Sequence, residues 1–225
     1  MRLLRRKAKS FEIQVQDLVL RITANDDFAE ESRAAALSFW EQLQSYALQH
    51  PEFRSSKRPL AAPAAEAPQI VREMVAAASA AGVGPMFTFR GAVVDQVGRF
   101  LLQSVGEVTV ACGGDYFIKA KKRLKLAVKR HGGAPITVAL EPDPGGVGVS
   151  TTLGRGRGTG PDGLAVIADT CMAADAAAAG VQALLPKERG FAQAVRYLKG
   201  VPNVRGGVFV VGERIGLAGA VEIAG

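Results

Sequence analysis

Strands and helices follow one another along this sequence in blocks, and their order constrains the fold more than any other feature. A segment of alternating apolar and polar residues comes first, and helical patterns follow it. Several short strand-like segments then occur in succession before helical patterns return. Strict alternation of strand and helix favours a parallel α/β sheet, whereas separate blocks favour an α+β fold. The sequence therefore predicts an α+β protein with helices packed on one face of a sheet.

The first 50 residues predict a hairpin followed by a helix. The segments FEIQV and LVLRI both alternate apolar with polar residues, which is typical of two strands that share a buried face. Asp27 stands three residues before Glu30 and forms a carboxylate variant of the capping box, so a helix is expected to begin there. It is expected to run to about Gln49 and to end at Pro51.

A proline-rich segment separates this N-terminal part from the rest of the chain. Residues 51–68 contain four prolines and predict an extended connector. A chain of 225 residues can bury a sizeable core, so we expect one domain over 1–225, with 69–225 as its motif-bearing core. Apolar periodicity in that core predicts helices over 68–81, 91–104, 171–185 and 188–199, and strands over 107–112, 116–120, 124–128, 136–140, 145–152, 164–168, 208–211 and 220–223.

The charge balance indicates an anionic ligand or partner. The formal net charge is +7, and such an excess attracts nucleic acid, acidic lipid or phosphate-bearing ligands without choosing among them. A basic run over 119–133 places charges at odd positions, on one face of a predicted strand pair, which is typical of a solvated sheet face. No aromatic residue interleaves with these charges, so nucleic-acid binding is not favoured. The charged residues on this face are Lys119, Lys121, Arg123, Lys125 and Lys129.

Targeting signals and nucleophile motifs are absent from the sequence. The basic N-terminus lacks the apolar stretch of a signal peptide, and the least charged run, 164–185, contains two aspartates and predicts no membrane span. Two cysteines, Cys112 and Cys171, are too few for a disulfide framework, so a reduced cytoplasmic setting is expected. Neither His50 nor His131 lies in a nucleophile or zinc motif, which argues against hydrolysis by a Ser/His or Cys/His pair.

The first candidate for a functional site is Gly113-Gly114-Asp115, directly after the strand-like segment EVTVAC. Paired glycines at a strand end allow close approach of a ligand to the backbone, and Asp115 can then hold a ribose, a hydroxyl or a metal. The alternative is a turn between two antiparallel strands in which Asp115 bonds its own backbone. The residues alone favour the turn.

The second candidate is Thr151 and Thr152 with the glycine-rich loop LGRGRGTG that follows them. Hydroxyls, backbone N–H groups and the guanidinium groups of Arg155 and Arg157 can cradle a phosphate. The spacing matches neither standard nucleotide-binding fingerprint. A flexible hairpin loop with solvated arginines explains the segment equally well.

The third candidate is the segment ADTCMAADAAAAG, in which a buried strand ends at Asp169 and a helix begins almost at once. Asp175 stands among alanines near the start of that helix, where small neighbours leave room for a ligand. A carboxylate on an apolar stripe needs a partner, and a cation is one such partner. The alternative is that Asp175 faces solvent or interacts with the helix dipole.

The order and spacing of these segments resemble the ApbE family. The stretch GVGPMFTFRGAVVDQVGRFLLQSVGEVTVACGGDYFIK is similar to the family pattern of a loop, a Lys-Gly helix start, an Asp four residues on, and a strand that ends in Gly-Gly-Asp. GVGVSTTLG resembles the Thr-Ser-Gly segment, and VIADTCMAADAAAAGVQAL resembles the Ala-Asp-Ala-Leu-Ser-Thr-Ala helix. The resemblance covers 82–185 and is closest to a small bacterial and archaeal branch in which GVGPM, GGD and AADAAA recur.

ApbE proteins bind FAD with magnesium and transfer FMN to a threonine of a target protein, and their T-fold-related structure sets helices on an antiparallel sheet. The resemblance implies the same fold here, with FAD or FMN as ligand, magnesium, and a protein acceptor or a second copy of the chain as partner. It implies that Asp175 is the metal carboxylate and acts in catalysis through the metal. The residues expected at the nucleotide site are Arg90, Gly113, Gly114, Asp115, Thr151, Thr152, Arg155 and Arg157.

Two departures from the family pattern leave the activity open. The family's Lys before Gly is Arg90 here, which keeps the charge but not the shape. The metal-binding threonine, four residues after the helix Asp, is Ala179. The resemblance thus predicts a flavin-binding protein whose FMN transferase site is degenerate or altered. The alternative is a non-catalytic accessory protein in reductive sulfur assimilation, in the formation of homocysteine from sulfide, a process to which this branch has been linked.

Overall fold

The computed structural model describes residues 8–153 and 160–224 and contains one large antiparallel sheet. The strands are β1 (Lys9–Val15), β2 (Leu18–Ala24), β3 (Val108–Cys112), β4 (Asp115–Lys119), β5 (Leu124–Val128), β6 (Ile136–Leu140), β7 (Val147–Leu153), β8 (Gly163–Ala168), β9 (Val204–Val211) and β10 (Arg214–Gly219). Eight of them form the main sheet in the order β1-β2-β3-β4-β7-β8-β9-β10. β5 and β6 form a separate antiparallel pair. The predicted α+β class and its antiparallel sheet are confirmed.

Helices pack on one face of the main sheet, as predicted. They are α1 (Ala29–Gln49), α2 (Pro51–Ser55), α3 (Gln69–Ala80), α4 (Phe89–Leu101), α5 (Cys171–Leu184) and α6 (Gly190–Gly200). α4 lies against β3 and β4, α5 against β7 and β8, and α6 against β9 and β10. A Cβ at Gly148 of β7 would lie 2.0 Å from the backbone nitrogen of Cys171. The start of α5 therefore rests directly on the backbone of β7.

The opposite face of the main sheet is covered over its middle strands by the β5–β6 pair. Alternate residues of β7 and β8 point to this side and pack against the pair, since side chains along a strand alternate between faces. The buried residues of this second layer are Ile118, Val128, Val138, Leu140, Val147, Val149, Ala165, Ile167 and Val208. Each face of the central strands thus has its own apolar cluster.

The strand registers bring several turns to the same end of the main sheet, which we call the turn end. Because Leu20 pairs with Cys112, the β1–β2 turn lies beside the β3–β4 turn. Asp115 pairs with Ser150, so the end of β7 and the start of β8 lie next along the sheet. α4 also begins at this end, where Arg90 contacts Asp115. The turn end therefore gathers two of the three candidate segments.

The N-terminal hairpin and helix are present, but the predicted capping box does not form. Asp27 is exposed and accepts a hydrogen bond from the Ala29 N–H at 3.1 Å, while Phe28 occupies the N-cap position without a side-chain bond. The helix thus begins one residue too late for Asp27 to act as its cap. Pro51 ends α1 as predicted, yet it also begins α2, because proline suits the first turn of a helix. The predicted extended connector therefore starts with a short helix.

The predicted last strand, over 220–223, is wrong in position. β10 precedes it, because Gly212 adopts a φ of 60° and closes a tight turn directly after β9. The segment after β10 runs beside β6 instead, where the Ala139 N–H donates to the Glu222 carbonyl at 2.9 Å.

The basic run does not form one face. β4 belongs to the main sheet and β5 to the separate pair, so the chain turns between them and divides the charges. Lys119 donates to the Asp143 carbonyl at 2.6 Å, whereas Arg123 pairs with Glu141 at 2.8 Å. Lys129 lies elsewhere again, in a cleft at the turn end. In the part of the chain that the structure describes, no helix has both the length and the apolar character that a membrane crossing requires.

Candidate functional site

Asp115 is the centre of the polar contacts at the turn end. Gly113, with a φ of 60°, and Gly114 form the two-residue turn between β3 and β4, and Asp115 follows directly. Its side chain is only 1% exposed. The Ser150 hydroxyl donates to Oδ1 at 2.7 Å, and the Arg90 Nε–H donates to Oδ2 at 2.9 Å. The turn predicted from the residues is thus present, but Asp115 bonds two distant side chains rather than its own backbone.

Arg90 faces outward from this buried contact. The side chain is 55% exposed, and only its Nε is bonded to Asp115. Among the described residues, no hydrogen-bond partner is found for its two terminal nitrogens. The hydrogen bond to Asp115 raises the pKa of the Arg90 guanidinium, and burial opposes that rise. Arg90 is therefore a half-exposed cation held at its Nε, with terminal donors that no described residue bonds.

Asp175 lies on the same side of the sheet as Asp115. Its Oδ2 accepts a long hydrogen bond of 3.4 Å from the Gly91 N–H at the start of α4. Burial raises the pKa of the Asp175 carboxyl well above its ordinary value, and the charge of Asp115 raises it further, whereas Arg90 lowers it. A Cβ at Gly91 would lie 2.7 Å from the Cys171 carbonyl oxygen, so glycine permits this close packing of α4 on α5. Two of the predicted site carboxylates are thus neighbours.

Asp95 is a buried carboxylate to which the sequence reasoning assigned no role. It is 1% exposed, and its two oxygens accept hydrogen bonds from the backbone N–H groups of Cys171 and Met172, both at 2.8 Å. The Asp95 carboxylate of α4 thereby provides acceptors for backbone N–H groups in the first turn of α5. Thr170 is the N-cap of α5, and its side chain accepts a hydrogen bond from the Ala173 N–H. Burial raises the pKa of Asp95 to about 7. The signal in the sequence was an acid within the apolar stripe of a predicted helix.

Thr151 lies on the opposite side of the sheet from the two carboxylates. Side chains alternate along β7, so Ser150 faces the helices and Thr151 faces the β5–β6 pair. The Thr151 N–H and hydroxyl both donate to the Gly114 carbonyl, at 2.7 and 3.0 Å. Together with Gly113, Tyr116 and Lys129, Thr151 lines a cleft of about 310 Å³. Thr151 is therefore separated from Asp115 and Asp175 by the sheet, although the Gly113–Gly114 turn borders both sides.

The remaining predicted site residues differ in how they are placed. Thr152 lines the same cleft and also accepts a long hydrogen bond of 3.4 Å from Gln182 of α5. Arg155 and Arg157 lie outside the described residues. Asp169 pairs with Arg205 at 2.7 Å and thus ties the end of β8 to the start of β9. Its contacts are those of a structural ion pair.

Both cysteines are buried and neither is activated as a nucleophile. Burial raises the pKa of the Cys112 thiol and raises that of Cys171 well above its ordinary value. A thiol with a raised pKa is protonated near neutral pH, and the thiolate is the reactive form. Both cysteines pack in the apolar cluster beneath the helices.

The donor set around Asp175 does not fit a resident magnesium ion. Magnesium requires near-octahedral oxygen coordination. Asp175 supplies one carboxylate, the residue one turn later is Ala179, and both oxygens of Asp115 are already bonded to Arg90 and Ser150. Over 8–153 and 160–224, no three His, Cys, Asp or Glu side chains are grouped to hold a metal. The metal role of Asp175 stays a prediction from the resemblance, and we derive no step through a metal.

Comparison with known proteins places the chain among ApbE-like proteins. A family model described as AbpE bacteria matches residues 1–195. The chain is 27% identical over 223 residues to the UPF0280 protein of Methanocella arvoryzae, covering 94% of this chain and 89% of that one. It is also 27% identical over 221 residues to the UPF0280 protein of Methanosarcina acetivorans, covering 92% and 85%.

Two solved structures share its fold. The flavinyl transferase ApbE of Pseudomonas stutzeri, in its apo form, superposes with a TM-score of 0.62 at 18% identity and covers 99% of this chain and 96% of that one. A variant of the flavin transferase ApbE of Vibrio cholerae superposes with a TM-score of 0.64 at 12% identity and covers 94% and 97%. These identities are low, so the likeness concerns the fold.

Proposed function

Since this chain belongs to a divergent ApbE-like family, the one described as AbpE bacteria, we propose that it binds a flavin nucleotide, FAD or FMN, at the turn end of its main sheet. The two solved structures described above are flavin transferases, which supports a flavin-related function. The formal net charge of +7 agrees with an anionic ligand.

The observation that carries this proposal is the contact between Arg90 and Asp115 beside the Gly113–Gly114 turn. A guanidinium held by a buried carboxylate keeps one orientation, and its free terminal N–H groups match the spacing of two phosphate oxygens. The adjacent glycines have no side chains, so a phosphate can approach their backbone closely. A flavin nucleotide supplies the phosphate that Arg90 and this turn would bind.

Binding, rather than transfer of FMN, is the function that the described residues support. Recognition of a nucleotide draws on contacts spread over the base, ribose and phosphates. Attack on a diphosphate additionally requires that charge on the transferred and leaving oxygens is neutralised. Ala179 lacks the hydroxyl that the family pattern places one turn after Asp175, so binding is expected to survive where transfer does not.

We expect purified protein to bind FAD and FMN with one site per chain and to bind riboflavin at least about tenfold more weakly. Riboflavin has the same ring but no phosphate, and a charge-assisted hydrogen bond contributes about 1.5–3 kcal/mol. Quenching of flavin fluorescence on titration with protein measures the three dissociation constants. Equal affinity for all three ligands would contradict a phosphate site at Arg90, and no binding of any flavin would contradict the proposed function.

A further inference from the structure

We propose that the guanidinium of Arg90 takes the place of a divalent metal at this site, so that the chain binds flavin nucleotide without magnesium. This inference rests on the proposed function and adds the nature of the cation that receives the phosphate.

The first step is that Arg90 is positioned before any ligand arrives. Asp115 is almost fully buried, and the Ser150 hydroxyl donates to its second oxygen. Its Oδ2 accepts the Arg90 Nε–H at 2.9 Å, and no described residue accepts a hydrogen bond from the two terminal nitrogens. The guanidinium is planar, so fixing one edge of it also fixes the direction of the other donors.

The second step is that lysine, the residue of the family pattern at this position, does not provide the same arrangement. A lysine ammonium is a single charged nitrogen on a flexible chain. If it paired with Asp115, that same nitrogen would be the one available to a phosphate. In Arg90 different nitrogens can make the two contacts. Nε donates to Asp115, and the terminal nitrogens can donate to the ligand. The exchange of lysine for arginine therefore changes what the site can do.

The third step is that a metal ion and Arg90 compete for the same carboxylates. Asp115 and Asp175 both interact electrostatically with the guanidinium. Each oxygen of Asp115 already accepts one hydrogen bond from a side chain, and Oδ2 of Asp175 accepts a long one from the Gly91 N–H. A divalent cation at Asp175 would be repelled by the positive charge of Arg90. Ala179 supplies no hydroxyl to coordinate that cation. The chain thus lacks an oxygen ligand for a metal and has a guanidinium nearby. The guanidinium is therefore the cation that binds the phosphate.

The test compares flavin affinity with and without magnesium, first on the natural chain. We expect the dissociation constants of FAD and FMN to agree within about twofold between a buffer with excess EDTA and one with millimolar MgCl₂. We expect Arg90→Ala to weaken the binding of FAD and FMN at least about tenfold in both buffers, and to change the dissociation constant of riboflavin less than about twofold. Arg33→Ala is the matched control, because it removes an equal charge from an exposed helix pair with Glu30.

Arg90→Ala leaves the buried Asp115 without its cationic partner, so its fold must be checked separately. The double variant Arg90→Ala with Asp115→Asn removes both charges together, and we expect it to bind FAD and riboflavin with similar affinity. Magnesium that tightens FAD binding tenfold or more in the natural chain, an effect abolished in Asp175→Asn, would overturn the inference and leave the proposed function intact. Failure to bind flavin in either buffer would overturn both.

Discussion

Replacement of Asp95 by alanine is expected to lower the free energy of unfolding by about 2–5 kcal/mol. The carboxylate accepts hydrogen bonds from two buried backbone N–H groups at the start of α5, those of Cys171 and Met172. Each buried donor left without an acceptor costs about 1–3 kcal/mol, and alanine supplies no acceptor. Urea denaturation followed by circular dichroism measures the change.

Asp27→Ala is the control for this experiment. Asp27 also accepts a hydrogen bond from a backbone N–H near the start of a helix, but it is exposed. In the alanine variant water can accept this hydrogen bond, so the free energy of unfolding is expected to fall by less than about 1 kcal/mol. Equal losses in the two variants would show that the buried contact of Asp95 with α5 is not important for stability.

Titration of Asp95 is expected to make stability fall as the pH rises from about 4 to about 7. Burial raises its pKa from 3.8 to about 7 in the folded chain, so the native state holds a proton that the unfolded state has released in this range. Unfolding therefore releases this proton, and the free energy of unfolding declines as the pH rises. A rise of about 3 pKa units corresponds to at most about 4 kcal/mol.

Asp95→Asn isolates this contribution, because asparagine does not titrate. As the pH rises, the free energy of unfolding of the natural chain is expected to fall relative to that of the variant. Other groups titrate in both proteins and cancel in the difference. A difference that is constant between about pH 4 and about pH 7 would contradict the raised pKa.

The secondary structure was predictable wherever apolar periodicity was strong. The N-terminal hairpin, α3, α4, α5 and most strands lie within a few residues of the expected ranges, because alternation and helical stripes are local properties of the chain. The misplaced last strand shows the limit of this approach. Residues 220–223 have strand-like composition, but Gly212 closes the turn before them and the pairing with β9 begins at once.

The contacts among the candidate site residues could not be predicted from the sequence. Arg90 and Asp115 are 25 positions apart, and their contact depends on how α4 lies across β3 and β4. The side of the sheet on which Thr151 faces depends on the register of β7, because a shift of one residue exchanges the two faces. The role of Asp95 depends on a second helix that begins 76 residues later. Local spacing carries none of this information.

FMN transfer is expected to be undetectable in the natural chain and to appear only after two substitutions. Transfer joins the hydroxyl oxygen of an acceptor threonine to the flavin-side phosphorus of FAD, releases AMP and frees the hydroxyl proton. Removal of one group that stabilises such charge typically costs about 10²–10³ in rate. Here Ala179 lacks the hydroxyl of the family pattern, and Arg90 stands where the pattern has lysine.

Arg90→Lys with Ala179→Thr restores both features, and we expect it to raise magnesium-dependent transfer to an ApbE acceptor at least about tenfold above background. Arg90→Lys with Ala179→Val is the control, because valine has the shape of threonine without its hydroxyl. Ala179 is partly exposed, so either side chain fits with little strain. Transfer in the threonine variant and not in the valine variant would assign the gain to the hydroxyl oxygen. Strong magnesium-dependent transfer by the natural chain, abolished in Asp175→Ala, would show instead that one carboxylate is sufficient and that Arg90 does not exclude the metal.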